Sequence, residues 1–137
     1  MTESTFSKAW PIVGQIVTET RSFSQEDFDR FAMLSGDDNP IHVDEAFATT
    51  TRFGRPVAHG MLLYSAVCGA LSKHFPDAVQ VEQSMMFPAP TYAAEEMTIR
   101  IEVLDGLEDG LRASIKMINP AGGITLEGET TLQRSVR

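Results

Sequence analysis

The chain has 137 residues, 42% of them hydrophobic, and 11 Lys and Arg against 19 Asp and Glu, for a formal net charge of −8. That length suits one domain with a core of its own, and the acidic balance argues against nucleic-acid or anionic-membrane partners, which need clustered cations. With Cys68 as the one cysteine, an intramolecular disulfide is excluded and nothing asks for an oxidising compartment.

The N-terminus has no basic patch followed by an apolar core, so it does not read as a secretory signal. The longest apolar stretch, Met61–Leu71, is broken by Tyr64, Ser65 and Gly69 and is too short to span a bilayer. A cytoplasmic protein is expected, with residues 1–137 forming a single domain whose core runs roughly over 14–133.

Residues 1–11 are polar and irregular, and Gly14–Phe23 alternates loosely as a strand does. Ser24 with Asp27 three positions later resembles a capping box. Phe28, Phe31, Ala32 and Leu34 are placed on one face of the helix that follows, and Gly36 is placed to end it. From Gly36 to Gly60 the chain is mostly irregular, with one short helix expected at Asp44–Thr51. Met61–Phe75 is apolar around almost its whole circumference, which calls for a helix enclosed by the rest of the protein; Pro76 stops it.

Strand patterns follow at Val79–Phe87, Thr98–Leu104, Leu111–Met117 and Ile124–Leu132. In the last three, apolar and polar residues alternate, and Glu108–Gly110 and Asn119–Gly123 supply turn chemistry between antiparallel neighbours. Strands with one apolar face need a cover, and the enclosed helix is the available one. The pattern predicts an α+β domain in which an antiparallel sheet curls around a hydrophobic helix.

Two segments carry chemistry. In Gly36-Asp37-Asp38-Asn39-Pro40-Ile41-His42, Pro40 pushes Asn39 out of the α region and turns the chain sharply. Asp37 and His42 can then face one small volume, with Ile41 anchoring the turn in the core. The same residues also make an ordinary structural turn, and spacing alone leaves both readings open. In Phe53-Gly54-Arg55-Pro56-Val57-Ala58-His59-Gly60, Gly60 falls where the apolar helix begins. A helix N-terminus offers free N–H groups to a developing negative charge, and glycine lets a ligand come close. Alternatively Gly60 merely permits the turn and His59 holds the loop. His42, His59 and His74 lack metal-site spacing, so no metal is expected, and Cys68 reads as packing.

Taken together, Gly36–His42, Ala46-Phe47, Phe53–Leu62 and Met86–Tyr92 resemble the MaoC-like dehydratase family, and within it the (R)-specific enoyl-CoA hydratases. The resemblance spans roughly residues 14–133. It implies a hot-dog fold (the sheet wrapped around the Met61–Phe75 helix), a homodimer, and hydration of trans-2-enoyl-CoA to (R)-3-hydroxyacyl-CoA. It implies Asp37 and His42 as the acid–base pair and the Gly60 N–H as oxyanion donor. Asn39, His59, Arg52 and Arg55 are further candidates for substrate binding, the arginines for the coenzyme A phosphates. No cofactor is required, because coenzyme A or acyl carrier protein enters only as the carrier of the substrate. The single buried helix leans toward short or medium acyl groups. Two positions depart from the pattern: Ala94 stands where many members have Gly, and Cys68 where some have a small hydroxyl residue. A hot-dog thioesterase and a non-catalytic acyl-binding partner subunit are the competing readings.

Overall fold

A computed structural model describes residues 10–135, so the irregular stretch expected at the N-terminus lies outside the described residues up to position 9. The elements in chain order are β1 (Ile16–Arg21), α1 (Gln25–Ser35), α2 (Pro40–Val43), α3 (Glu45–Ala48), α4 (Gly60–His74), β2 (Ala78–Met86), β3 (Met97–Leu107), β4 (Gly110–Ile118) and β5 (Ile124–Arg134). No described helix is long and apolar enough to cross a membrane.

The five strands form one antiparallel sheet in the order β1-β3-β4-β5-β2. Period-two alternation puts Met97, Ile99, Ile101 and Val103 of β3 on the inner face with Leu111, Ala113, Ile115 and Met117 of β4. They join Leu63, Ala66, Val67, Ala70 and Leu71 of α4 in one core. Each large side chain moved from water into this core contributes about 1.5–3 kcal/mol, so α4 is held by the sheet rather than by its own propensity. This is the hot-dog arrangement.

The expected capping box is present. Asp27 N–H donates to Ser24 Oγ at 3.1 Å and Ser24 N–H to Asp27 Oδ2 at 2.8 Å. Gly36 ends α1 with φ of 82°, a left-handed geometry that suits glycine.

Two expectations need correcting. Leu34 is 86% exposed, because six residues past Phe28 the helix has turned about 240° and points it away from the core. Nor is α4 wholly enclosed: Met61, Ser65 and Gly69, four residues apart, form an exposed stripe on the side the sheet does not reach. Ala94, the departure noted above, has φ of 69°. An L-residue there costs about 1–2 kcal/mol, and the loop is held in that shape by a 2.7 Å bond from Ala94 N–H to the Phe23 carbonyl.

Candidate functional site

The left-handed Gly36 turns the chain out of α1 and delivers Asp37. Asn39 has φ −54° and ψ 131°, as a residue before proline should. Its side chain then accepts from Ile41 N–H at 3.1 Å and caps the single turn of α2. The segment expected to be irregular thus contains a helical turn, but Asp37 lies before it and His42 within it, so the two can still meet. Ile41 is only half-buried, and what fixes the turn is its carbonyl, which accepts from Val57 N–H at 3.1 Å. The segment before α4 is clamped from the far side as well, by Ala58 N–H on the Thr91 carbonyl at 2.8 Å.

His42 Nε2 lies 3.9 Å from Asp37 Oδ2. That is too long for a direct hydrogen bond, but two bonds of ~2.8 Å meeting near a right angle span about 4 Å, so one water fits between them. His42 Nδ1 lies 2.8 Å from the Val57 carbonyl oxygen. A carbonyl can only accept, so the proton of the neutral ring is assigned to Nδ1 and Nε2 keeps its lone pair. Both groups facing the gap are then acceptors. A water held there would donate both hydrogens and turn its own lone pairs outward, toward an electrophile. Gln25 Nε2–H holds the His42 carbonyl at 2.9 Å. Asp38 is exposed and takes part in none of these contacts.

His59 is 2% exposed. Its ring stacks on His42 with centroids 3.8 Å apart and 22° between planes, and Phe31 of α1 packs against it at 4.8 Å. Its Nε2–H donates to the main-chain carbonyl of Asp37 at 2.9 Å, while Nδ1 is buried without a partner. Burial is the main reason its basicity falls below the ordinary imidazole value. The neighbouring His42 adds to this, and the Asp37 carbonyl and carboxylate oppose it. The unfolded chain therefore binds a proton near pH 6.5 that the folded chain still refuses. Stability from this group is complete above that pH and is lost as pH falls toward the lowered folded value. The melting temperature should fall between pH 7.5 and pH 5.5, and His59→Phe should flatten that slope; parallel slopes would rule out this contribution.

Asp37, His42 and His59 each place a ligand atom within 4.8 Å of the others. Of these ligand atoms, His59 Nε2 is committed to the Asp37 carbonyl, which leaves Nδ1 with the free lone pair of that ring. His74 stands apart, at the far end of α4, 2.9 Å from Glu19 Oε2.

Gly60 is the first residue of α4, and its N-cap, His59, makes no side-chain capping bond. Among the described residues no side chain is seen to bond the first N–H groups there, which carry the partial positive charge of the helix end. A Cβ on Gly60 would lie 2.7 Å from the Phe87 ring, so glycine is what lets that ring approach. Gly60, Leu63, Phe87 and Thr125 line a cavity of ≈ 230 Å³ with Arg52 and Phe53. Neither Asp37 nor His42 is in its wall. The link runs through His59, which adjoins Gly60 in the chain and stacks on His42.

The two arginines part company. Arg52 lies over Phe53, 4.5 Å from the ring centroid, in the wall of this cavity. Arg55 lies 4.1 Å over Tyr92 and lines a separate depression with Gln25 and Glu45. Tyr92 in turn donates its hydroxyl to the Phe53 carbonyl at 2.9 Å, so Arg55 packs the back of the loop. Asn39 spends its side chain on the cap. The Val57 carbonyl and Gln25 were not singled out from sequence as site groups; a main-chain acceptor leaves no mark in residue type.

Beyond the geometry, the family model for the MaoC like domain matches residues 11–122. The chain belongs to the MaoC-like family. An (R)-specific enoyl-CoA hydratase of Aeromonas caviae is 35% identical over 125 residues, 88% of this chain and 93% of that protein. The unliganded R-hydratase of Pseudomonas aeruginosa superposes with a TM-score of 0.86 at 31% identity, covering 93% of this chain and 84% of that one. A mitochondrial 3-hydroxyacyl-[acyl-carrier-protein] dehydratase of Arabidopsis thaliana is 42% identical over 94 residues, 69% of this chain and 57% of that protein. The MaoC-like match covers β1 through β4 and both segments that build the site.

Proposed function

We propose that this MaoC-like protein is an (R)-specific enoyl-CoA hydratase, a hydro-lyase that reversibly hydrates trans-2-enoyl-CoA to (R)-3-hydroxyacyl-CoA. The observation that carries the reading is the water-sized gap of 3.9 Å between Asp37 Oδ2 and His42 Nε2. The activity of the Aeromonas relative supports it.

Water held by Asp37 and His42 attacks C3 of the conjugated thioester and leaves its hydroxyl there. One of its protons passes to the pair. Electrons shift toward the thioester oxygen, where the Gly60 N–H meets the growing negative charge. The pair then returns a proton to C2 on the same face, the thioester carbonyl re-forms, and the enzyme is regenerated. Positioned proton transfer of this kind is worth about 10²–10⁴-fold, and one oxyanion donor about 10²–10³-fold. No metal or redox group takes part in this scheme; coenzyme A or acyl carrier protein serves as the carrier.

A panel of 2-enoyl-CoA substrates tests the assignment by loss of the conjugated-enone absorbance and by the stereochemistry of the product. Release of free thiol from saturated acyl-CoA without any hydration would instead identify a thioesterase.

Arg52, which lines the cavity, is the cation proposed to meet the phosphates of coenzyme A, since a chain of net charge −8 needs local cations to hold them. Arg52→Ala should raise KM for an enoyl-CoA and leave kcat intact, the pattern of uniform binding. Arg55→Ala should change KM little. The Arg52 effect should shrink at high salt and with an enoyl-pantetheine that lacks the nucleotide. The same KM shift on both substrates would mean that Arg52 shapes the loop instead.

The assembly proposed is a homodimer or larger even-numbered oligomer. Among the described residues β2 pairs only with β5 and leaves its other edge free, with Val79 and Val81 half-exposed beside it. A two-fold copy is the commonest way to cover such an edge. Light scattering should give an even multiple of the chain mass; a fully active monomer would contradict this.

A further inference from the structure

His59 is a costly residue for the place it occupies. Its ring is buried, Nδ1 has no hydrogen-bond partner among the described residues, and an orphaned buried acceptor calls for an explanation. An apolar ring would fill the space without that penalty. What such a ring could not supply is the Nε2–H donated to the Asp37 carbonyl at 2.9 Å. What an amide could not supply is the flat face stacked on His42 at 3.8 Å. One side chain thus touches both members of the pair, holding the main chain that carries Asp37 and fixing the plane of the ring that carries Nε2.

We propose that His59 is a positioning residue for the hydration reaction, a neutral imidazole that sets the Asp37–His42 gap at the width of one water. This replaces the substrate-binding role suggested for it by sequence, and it rests on the hydratase reading above. The arrangement needs the neutral ring, because a cation there would face the charge that His42 carries whenever it holds the transferred proton. The titratable groups acting on His59 are His42 of α2 and Asp37 of the loop after α1; α1 itself presents Phe31. Burial is the largest influence and lowers the basicity of the ring, which favours the neutral form.

Two variants separate positioning from packing. His59→Phe keeps a flat apolar ring and deletes the donor, whereas His59→Gln offers an amide N–H and deletes the stack. If His59 positions the pair, His59→Phe should lose about a hundredfold in kcat, the scale of a one-ångström misplacement, and His59→Gln should recover about tenfold of that. KM for crotonyl-CoA should stay within about threefold in both. A packing role predicts the opposite ranking, with His59→Phe the more active because it is the more stable. Activities that follow melting temperature, or a His59→Phe enzyme within about twofold of the parent in kcat, would overturn the proposal.

Nitrogen-15 NMR of the imidazoles in the parent protein gives a reading independent of the variants. His59 must hold its proton on Nε2 and remain neutral across the active pH range; an Nδ1–H tautomer or an imidazolium at pH 7 would equally overturn it. If the parent hydrates no enoyl-CoA, the reaction assignment fails instead. The tautomer then still decides whether His59 holds the Asp37 loop.

Discussion

Asp37→Asn and His42→Gln are each expected to lower kcat for enoyl-CoA hydration by at least about 10²-fold, while Asp38→Asn remains close to the parent. An amide in place of the Asp37 carboxylate can still touch a water but cannot take its proton. Glutamine at position 42 loses the Nε2 lone pair that faces Asp37 Oδ2 across 3.9 Å. Folding should change little. The Asp37 side chain is 55% exposed, and His42→Gln forfeits one hydrogen bond to the Val57 carbonyl, worth about 1 kcal/mol, together with the ring stack on His59. Melting curves beside steady-state kinetics check both points. Equal losses from Asp37→Asn and Asp38→Asn would remove the basis of the assignment, since the structure turns only one of the adjacent carboxylates toward His42.

The second large effect concerns the Gly60 N–H, and the helix start offers an unusually clean test of it. Proline is well tolerated as the first residue of a helix, where its missing N–H breaks no intrahelical bond. The residue before it must be extended, and His59 already has φ −63° and ψ 136°. Gly60→Pro therefore removes the N–H at little cost to the backbone. Gly60→Ala serves as its control, because both substitutions bring a Cβ against the Phe87 ring, 2.7 Å away. That ring is 42% exposed and free to shift. Relative to Gly60→Ala, Gly60→Pro should lose about 10²–10³-fold in kcat, the value of one oxyanion-hole donor, at a similar melting temperature. Equal activity in the two variants would show that this N–H does not meet the developing charge.

Much of this protein is determined locally, and for that reason legible in residue order. Ser24 and Asp27 cap α1 through bonds three residues apart. Alternation along β3, β4 and β5 marks the inner face of the sheet, because successive side chains point to opposite sides whatever the strand pairs with. Asn39-Pro40 turns the chain by sterics internal to two residues. Asp37, His42 and Gly60 could be named only as candidates, because their spacing suits an ordinary turn equally well and it was the resemblance to the MaoC-like family that favoured a site.

What only the tertiary structure decided depends on groups distant in the chain or without a side-chain signature. The proton of His42 is placed by a main-chain carbonyl fifteen residues away, and His59 reaches the carbonyl of Asp37 across twenty-two. Leu34 fits an apolar helical pattern yet faces solvent, because the pattern records helical period but not where the core lies. Arg52 and Arg55, three residues apart in one loop, are sent by Gly54 (φ 79°) and the clamp on Val57 and Ala58 to different cavities. Residue spacing carries the local geometry of turns and helices, and it holds no record of which carbonyl, ring or cavity the folded chain brings alongside.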